Sequence, residues 1–434
     1  MKKIVFMIII AVLFSACDLF APSKLEEDIS LIPVQSGDKC GYINREGKYI
    51  INPQFWSARF FSEGLGKVET MDEKTGYIDK KGNFVVPAQY SWGTDFSEGL
   101  AFVCDKDSGG RILCIDKKGN TKFELKNIDY ASSFSEGLAA FRKGDKVGFI
   151  DKKGNLVVPA QYSWGTDFSE GLAFVCDKDS GGRILCIDKK GNTKFELRNI
   201  DYAGSFSEGL APIRKGDKIG FIDKTGKIIV KPQFDRVEDF QEGLAAVCKN
   251  AKWGFINKKG EIVINPQFDG IDERFPIGFS EGLVAVKSQN GQWGFINKKG
   301  KIIVKPQFDR VANFQEGLAA VCKNAKWGFI NKKGEIVINL KFHDYEFIHL
   351  SFHNGLAAVP FCQDKQCEDV KWGFIDKKGN LVINPQFVGG QPPFFVDGIA
   401  FVMGLPERKW GIIDKKGKYL VKPQFNGIGH DIYY

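Results

Sequence analysis

The 434-residue sequence contains few of the residues and motifs on which catalysis and metal binding usually depend. It has only four histidines and four methionines, and no nucleophile-elbow, phosphate-loop or dinucleotide-binding motif. Its ten cysteines show no Cys-x-x-Cys spacing, which argues against a zinc site. Beyond the N-terminus no apolar run is long enough to cross a bilayer. We therefore expect no catalytic residue, no metal and no cofactor.

The N-terminal segment MKKIVFMIIIAVLFSAC combines two lysines, the apolar run 4–14 and two small residues before Cys17. The run is too short for a membrane helix of the mature protein. This order resembles a bacterial lipoprotein signal, although Phe14 stands where leucine is usual. The resemblance implies cleavage before Cys17 and acylation of its side chain. The alternative is an ordinary secretory signal with an incidental cysteine.

These features divide the chain into a signal peptide (1–16), a lipidated tether (17–30) and a folded array (31–434). Two or three acyl chains hold a protein stably at a membrane, so we expect a membrane-anchored lipoprotein of the bacterial cell envelope. The choice of membrane, and of periplasmic or surface face, stays open. The formal charge of +8 is a mild bias, and nucleic acid is not an expected partner.

The rest of the chain is a tandem repeat with a period of mostly 34 to 40 residues, which indicates a solenoid or propeller. The segment KNAKWGFINKKGEIVIN, for example, occurs at 249–265 and again at 323–339. Nine units carry a glycine at the equivalent position, and two degenerate units read RILCIDKKG. The nine glycines are Gly41, Gly76, Gly148, Gly220, Gly254, Gly294, Gly328, Gly373 and Gly411.

A full unit reads approximately EGLAAV, KWGFID, KKG, IVIxPQF. We interpret LAAV, KWGFID and IVI as three antiparallel strands. The DKKG segment predicts a type I turn with a glycine bulge, and the proline of PQF predicts the end of strand pairing. The expected fold is therefore all-β, with about eleven three-stranded meanders. We favour an open, curved solenoid, because no terminal unit looks split, and keep a closed, propeller-like array as the alternative.

The repeated Trp-Gly pair makes this sequence similar to the WG (KWG) repeat family of bacterial proteins, over nearly all of 31–425. The resemblance implies a β-rich fold and no general catalytic activity. We expect the tryptophans to pack between units, in preference to stacking on a ligand. These predicted core residues are Trp253, Trp293, Trp327, Trp372 and Trp410.

Six cysteines flank short turns in pairs, which makes them candidates for hairpin disulfides in an oxidising compartment. The pairs are Cys104 with Cys114, Cys176 with Cys186, and Cys362 with Cys367. Buried free thiols are an equally acceptable interpretation. Three of the histidines lie between 343 and 353, where ordinary surface roles are favoured over a metal site.

Paired lysines recur in the turn between the second and third strands, and in a regular stack they would form one basic edge. The candidate residues are Lys258, Lys259, Lys298, Lys299, Lys332, Lys333, Lys377 and Lys378. The glutamates of the EGL segments would line another edge and stabilise their own turns. The alternative is that the lysines only keep the turns soluble and block edge pairing.

The sequence therefore predicts a non-catalytic, lipid-anchored repeat protein that presents an extended surface to a protein or an anionic polysaccharide. A structural or spacer role in the envelope, without a specific ligand, is the alternative function. The oligomeric state is not determined by these observations.

Overall fold

The computed structural model describes residues 30–105, 110–177, 182–271, 278–344, 350–362 and 370–428. These residues form 43 β-strands and no helix, so in this part of the chain no helix could span a membrane. The strands are grouped in eleven small antiparallel sheets, which we call blades 1 to 11. Fold class all-β is therefore confirmed.

The strands, which we call a, b, c and d within a blade, follow one another along the chain. Blade 1 contains β1 (Ile32–Ser36), β2 (Lys39–Ile43) and β3 (Tyr49–Phe55). Blades 2 to 4 contain β4 (Ser57–Ser62), β5 (Leu65–Glu69), β6 (Thr75–Ile78), β7 (Phe84–Tyr90); β8 (Trp92–Gly93), β9 (Leu100–Asp105), β10 (Arg111–Asp116), β11 (Thr121–Leu125); and β12 (Tyr130–Ala131), β13 (Leu138–Lys143), β14 (Lys146–Asp151), β15 (Leu156–Tyr162).

Blades 5 to 7 contain β16 (Trp164–Gly165), β17 (Leu172–Asp177), β18 (Arg183–Asp188), β19 (Thr193–Leu197); β20 (Tyr202–Ala203), β21 (Leu210–Lys215), β22 (Lys218–Asp223), β23 (Ile228–Phe234); and β24 (Arg236–Val237), β25 (Leu244–Lys249), β26 (Lys252–Asn257), β27 (Ile262–Phe268). Blades 8 and 9 contain β28 (Gly270–Ile271), β29 (Leu283–Lys287), β30 (Trp293–Asn297), β31 (Ile302–Phe308); and β32 (Arg310–Val311), β33 (Leu318–Lys323), β34 (Lys326–Asn331), β35 (Ile336–His343). Blades 10 and 11 contain β36 (Leu356–Phe361), β37 (Lys371–Asp376), β38 (Leu381–Phe387); and β39 (Phe395–Val396), β40 (Ile399–Gly404), β41 (Lys409–Asp414), β42 (Tyr419–Phe425), and the chain continues into β43 (Gly427–Ile428).

Most blades have four strands, so the prediction of three-stranded meanders missed one strand. The extra strand a is short, and in blade 7 it is the two-residue β24, which pairs with β25. Two residues are too few to show an alternating pattern in the sequence. The described part of blade 10 has three strands.

The DKKG turns have the geometry that the sequence predicted. In blade 7 the Gly260 N–H donates to the Asn257 carbonyl at 2.9 Å, and Gly260 has a positive φ of 79°. The Asn257 side-chain oxygen also accepts the backbone N–H groups of Lys259 and Glu261. A side-chain oxygen that receives these forward donors is the reason for Asp or Asn at this position.

The PQF segment does not end strand pairing, contrary to the prediction. Strand β27 continues through Pro266 to Phe268, and Phe268 pairs with Trp253. Two extra residues of β27 form a bulge between the pairs Trp253–Phe268 and Phe255–Ile264. A bulge leaves its extra residues out of the hydrogen-bond ladder, so a proline that lacks an N–H can be accommodated there.

The C-terminal strand closes the array into a ring. Strand β43 pairs with β1, with Gly427 opposite Gln35 and Ile428 opposite Val34. The Gly37 N–H donates to the Asn426 side-chain oxygen at 2.9 Å. In blades 2 to 9 strand a follows strand d of the preceding blade, and β43 likewise follows strand d of blade 11 but pairs with blade 1, which thereby obtains its strand a. The expectation of an open solenoid is wrong, and the fold is the alternative: an eleven-bladed β-propeller.

The core lies between neighbouring blades. The phenylalanine of GFI in one blade packs edge-to-face on the phenylalanine that precedes the EGL-type turn of the next blade. Phe255 and Phe279, for example, have ring centroids 5.0 Å apart, and Phe295 and Phe314 have centroids 4.9 Å apart. Packing between blades requires each blade to have two neighbours, which ring closure provides for blades 1 and 11.

Candidate functional site

Two turns of each blade lie at the same edge of the propeller. The EGL turn joins strands a and b, and the KKG turn joins strands c and d. Because two antiparallel strands separate these turns, the chain returns to the same end of the sheet. We call this the turn edge, and the opposite edge, where strands b and c are connected, the hairpin edge. The prediction that glutamates and lysines line different edges was therefore wrong.

The glutamate of one blade binds the next blade at the turn edge. The Glu98 carboxylate of blade 3 accepts the Gly137 N–H of blade 4 at 3.0 Å and lies 2.7 Å from Lys152 Nζ, also of blade 4. The Lys152 ammonium also donates to the Glu98 carbonyl at 3.1 Å. The Glu98 side chain thus binds both the EGL turn and the KKG turn of the neighbouring blade. We call this arrangement the clasp.

The clasp recurs at successive blade junctions, with nitrogen–oxygen distances between 2.7 and 3.0 Å. In the described residues it joins Lys117 to Glu63, Lys152 to Glu98, Lys189 to Glu136, Lys224 to Glu170, Lys258 to Glu208, Lys298 to Glu242, Lys332 to Glu281 and Lys377 to Glu316. At the junction that closes the ring, Arg45 of blade 1 takes the place of the lysine and Asp397 of blade 11 takes the place of the glutamate.

The clasp also explains why a glutamate recurs at a strained backbone position. Glu98 and Gly99 have positive φ angles of 53° and 87°, as the two central residues of a type I′ turn require. A glutamate in this left-handed region is unfavourable by roughly 1–2 kcal/mol. Its charge-assisted hydrogen bonds to the next blade offset that cost.

In three of these glutamates, Glu98, Glu136 and Glu316, the clasp lowers the pKa of the carboxyl group. Partial burial alone would raise the pKa of Glu98, but hydrogen bonds from Lys152 and the Gly137 N–H outweigh it and lower the pKa. The pKa values of Glu136 and Glu316 are lowered for the corresponding reasons, with burial again opposing the lysine and backbone donors. The carboxylates are therefore charged throughout the neutral pH range.

The paired lysines of the candidate basic edge divide into two groups with different surroundings. The first lysine of each pair, which is Lys258, Lys298, Lys332 or Lys377, belongs to the clasp. The second lysines are exposed, and none of them forms a salt bridge to a described residue; they are Lys259, Lys299, Lys333 and Lys378. On blades 7 to 10 the turn edge therefore offers one lysine without a salt bridge per blade, rather than two.

The tryptophans of the Trp-Gly pairs lie on strand c, near the hairpin edge. Trp253, Trp327 and Trp372 are almost fully buried, with at most 3% of each residue exposed. Trp293 and Trp410 are half-buried. The following glycine leaves room for the adjoining strand, since a Cβ on Gly254 would lie only 2.4 Å from the Ile264 carbonyl oxygen.

Two of the three candidate disulfides are not present. None of Cys104, Cys114, Cys176 and Cys186 forms a disulfide. The strand register explains this, because Cys104 lies opposite Ile112 rather than Cys114, and the thiols are offset by two residues. Burial raises the pKa of Cys114 to about 12, which makes that thiol unreactive.

Three predicted residues fall at or beyond the limits of the description. Cys362 is disulfide-bonded, while its candidate partner Cys367 and the candidate lipidation site Cys17 lie outside the described residues. His349 also lies outside them. His353 is in contact with Gln315 and Ser351, and no group of metal-ligating side chains occurs within the ranges described.

Sequence reasoning missed a set of aromatic residues on strand a, near the hairpin edge. Trp92 of blade 3 contacts Tyr130 of blade 4, with ring centroids 5.8 Å apart. Trp164 of blade 5 contacts Tyr202 of blade 6 at 5.2 Å. The available signal was a displaced Trp-Gly pair: blades 3 and 5 have it on strand a, whereas blades 7 to 11 have it on strand c.

A small cavity lies at the same edge, between blades 4 and 5, on the face of blade 5 opposite to Trp164. It has a volume of about 230 Å³ and is lined by Gln161, Tyr162, Asp177, Arg183 and Leu185. The first two precede Trp164 in the chain, and Asp177 follows Cys176, which is the residue paired with Trp164. The cavity thus combines amide, phenol, carboxylate and guanidinium groups, and the sheet of blade 5 separates it from the Trp164–Tyr202 pair, because successive residues of a strand point to opposite faces.

The fold and the sequence together identify the class and the family of this protein. By its architecture it is a closed β-propeller built from a tandem β-repeat. The model of the family described as "WG containing repeat" matches residues 41–74, 76–107, 114–146, 148–179, 186–218, 219–253, 253–293, 293–327, 327–359, 372–403 and 410–431. The chain therefore belongs to the WG-containing repeat family.

Comparisons with other proteins add little beyond the family. No curated protein matches the sequence. The structure described as the eukaryotic initiation factor is 12% identical, covers 81% of this chain and 94% of its own, and gives a TM-score of 0.42. BamB from Moraxella catarrhalis is 13% identical, with 72% and 93% covered and a TM-score of 0.31. Similarities at this level carry no functional argument.

Proposed function

We propose that this protein is an exported, lipid-anchored and non-catalytic binding protein of the bacterial envelope. Its propeller would present the turn edge to an anionic polysaccharide or to an acidic protein surface. The lipoprotein-type segment before Cys17 supports the anchor and the exported location. The repeat architecture supports a surface with many equivalent contact points, which favours binding through avidity.

This proposal rests on one observation, which is that the two lysines of each pair have different surroundings. If lysines served only to hold the blades together, the first lysine of each pair would be sufficient, because it forms the clasp. The second lysine is exposed on blades 7 to 10 at the same turn position. A periodic row of uncompensated positive charges is complementary to a periodic anionic polymer.

The test compares two variants that carry the same number of Lys→Gln changes. The first replaces Lys259, Lys299, Lys333 and Lys378, and the second is the matched control, in which the neighbouring clasp lysines of the same turns are replaced. Binding to polygalacturonate and to heparin is measured at 50 and 200 mM salt. These two probes supply carboxylate and sulfate charges respectively.

We expect the second-lysine variant to lose binding by about tenfold or more, since its four charges act together on one polymer. Parent binding should also weaken with salt, because exposed charges are screened. The clasp variant should bind nearly as well as the parent but be less stable. Equal binding by the second-lysine variant and the parent would contradict a binding role for this edge.

The anchor needs a separate test. Mass spectrometry of the N-terminal peptide from protein purified from its native envelope should show a chain that begins at an acylated Cys17. A Cys17→Ser variant should move from the membrane fraction to the aqueous fraction. An N-terminus elsewhere, without acyl chains, would refute the lipoprotein interpretation.

A structural or spacer role without a specific ligand is the alternative function, and the clasp favours it. A closed ring in which each junction is bound by ion pairs and aromatic contacts is a rigid body. If neither polyanion binds and a pull-down from the native envelope recovers no protein partner, the spacer role would replace the binding role.

A further inference from the structure

We propose that the hairpin edge of blades 3 to 6 contains a second, independent binding site, for an uncharged polysaccharide chain. The site consists of two aromatic platforms, Trp92 with Tyr130 and Trp164 with Tyr202. It lies at the opposite edge from the lysine row and does not depend on the function proposed for that row.

Exposed aromatic surface is the first observation. Tyr130 is 50% exposed and Tyr202 is 38% exposed, and each contacts a half-buried tryptophan on the preceding blade. Contiguous aromatic groups at the surface are unfavourable in water and mark binding sites. The C–H groups on one face of a pyranose ring can cover such an aromatic surface while its hydroxyls stay hydrated.

Polar groups on the adjoining face of blade 5, at the same hairpin edge, are a second observation. The 230 Å³ cavity lies on the other face of blade 5, towards blade 4, and contains the Gln161 amide, the Asp177 carboxylate and the Arg183 guanidinium, which a chain that crosses the hairpin edge would meet. Asp177 is also paired with Lys146 at 3.2 Å, which holds the carboxylate in place and reduces its charge. A pocket that combines apolar surface with a few convergent donors and acceptors orients a ligand rich in hydroxyl groups.

The basic group at Tyr202 contributes to the same arrangement. The Arg214 guanidinium lies 5.7 Å from the centroid of the Tyr202 ring, and Arg214 pairs with Tyr202 across the adjoining strands. A guanidinium at this distance fixes the orientation of the ring by a cation–π contact. Arg142 pairs with Tyr130 in the corresponding place of blade 4.

Exact repetition indicates that the ligand is a polymer with a repeating unit. Residues 88–105, which include Trp92, are identical to residues 160–177, which include Trp164. Two platforms that share the same tryptophan segment on one ring are matched by a chain that presents the same sugar face repeatedly. A polypeptide with a changing side-chain sequence would not present equal surfaces to both.

The experiment measures binding of the purified protein to short and long uncharged glycans. Cellohexaose and N-acetylchitohexaose are the short probes, with tryptophan fluorescence and calorimetry as readouts. Hydroxyethyl cellulose and glycol chitin are the long probes, in affinity electrophoresis. The variants truncate one platform (Trp164→Ala with Tyr202→Ala), the other (Trp92→Ala with Tyr130→Ala), or both.

Each single-platform variant should bind half as many hexasaccharides with an unchanged Kd, because the platforms are separate sites. The same variant should lose about 100-fold in apparent affinity for the long polymer, since avidity is lost. The variant without either platform should bind none of the probes. Replacing the four turn-edge lysines with glutamine should leave hexasaccharide binding unchanged, which separates this site from the proposed polyanion surface.

Two controls keep the result interpretable. Trp56 is 52% exposed but has no aromatic partner among the described residues, so Trp56→Ala should have no effect on binding. Because Trp92 and Trp164 also pack against the core, a variant with only Tyr130→Ala and Tyr202→Ala preserves the fold and should still weaken binding at least tenfold. Failure of all four glycans to bind, or full binding by the tyrosine variant, would overturn the proposal.

Discussion

Ring closure predicts that Ile428 is as important for stability as its counterpart inside the chain. Strand β43 has the sequence Gly-Ile, and so does β28 of blade 8, which ends in Ile271. Both isoleucines are buried, with 3% and 1% of each residue exposed. In a closed propeller both occupy the same position between neighbouring blades, whereas in an open array Ile428 would have no blade 1 to pack against and would be exposed to solvent.

The expected magnitude follows from this burial. Truncation of a fully buried isoleucine to alanine costs about 2–5 kcal/mol, depending on how far the surroundings relax. Ile428→Ala and Ile271→Ala should therefore lower the free energy of unfolding by similar amounts within that range.

Urea unfolding followed by tryptophan fluorescence measures both variants against the parent. Hydrogen exchange then locates the effect: Ile428→Ala should accelerate exchange at Gly37, whose N–H donates to Asn426, and leave blade 8 protected. A cost below about 1 kcal/mol for Ile428→Ala, together with a full cost for Ile271→Ala, would show that the ring is open in solution.

Four further predictions follow from the blade junctions and the cysteines. A double-mutant cycle on Glu98 and Lys152, using glutamine at both positions, should give a coupling of about 0.3–1 kcal/mol in urea unfolding, because both side chains are partly exposed; no coupling would mean that the clasp is not stabilising. Gly254→Ala should destabilise by at least about 1–3 kcal/mol, since the new Cβ would lie 2.4 Å from a backbone oxygen, and a neutral effect in the same assay would contradict the strand contact. The clasp glutamates Glu98, Glu136 and Glu316 have lowered pKa values, so their contribution to the free energy of unfolding is complete above the ordinary pKa of 4.5 and is lost as the pH falls through the lowered values. Lowering the pH should therefore destabilise the parent more than a variant with glutamine at all three positions. Thiol alkylation of the folded protein at pH 8 should leave Cys114 unmodified, and unfolding without reductant should make it reactive, whereas continued protection would indicate a disulfide.

Local structure was predictable where a turn or strand depends on neighbouring residues. The DKKG turn needs only an oxygen-bearing side chain at its start and a glycine at its end, as Asn257 and Gly260 show. The strands b, c and d followed from alternating and β-branched patterns. Strand a was missed because two residues carry no periodic pattern. The choice between disulfides and free thiols stayed open for the cysteine pairs, because register is not visible from spacing.

The two candidate surfaces also differ in how much of each could be recognised from the sequence. The lysine row was found from the sequence, but its pairing with glutamates required the topology, which brings the EGL and KKG turns to one edge. The aromatic platforms were overlooked because a tryptophan on strand a and one on strand c look alike in a repeat. The neighbouring residues decide whether a tryptophan is covered or belongs to an exposed aromatic pair. Arg236 lies over the buried Trp253, while Trp164 faces Tyr202.

The sequence by itself determined the all-β class, the number of units, the turn chemistry and the absence of recognisable catalytic motifs, since each depends on residues close together in the chain. Only the tertiary structure decided whether the array closes. Closure depends on the angle accumulated over eleven blades and on a pairing between Gln35 and Gly427, which no local pattern encodes. It was also the tertiary structure that converted two rows of opposite charge into blade-to-blade clasps, because their proximity arises only after the strands have folded back.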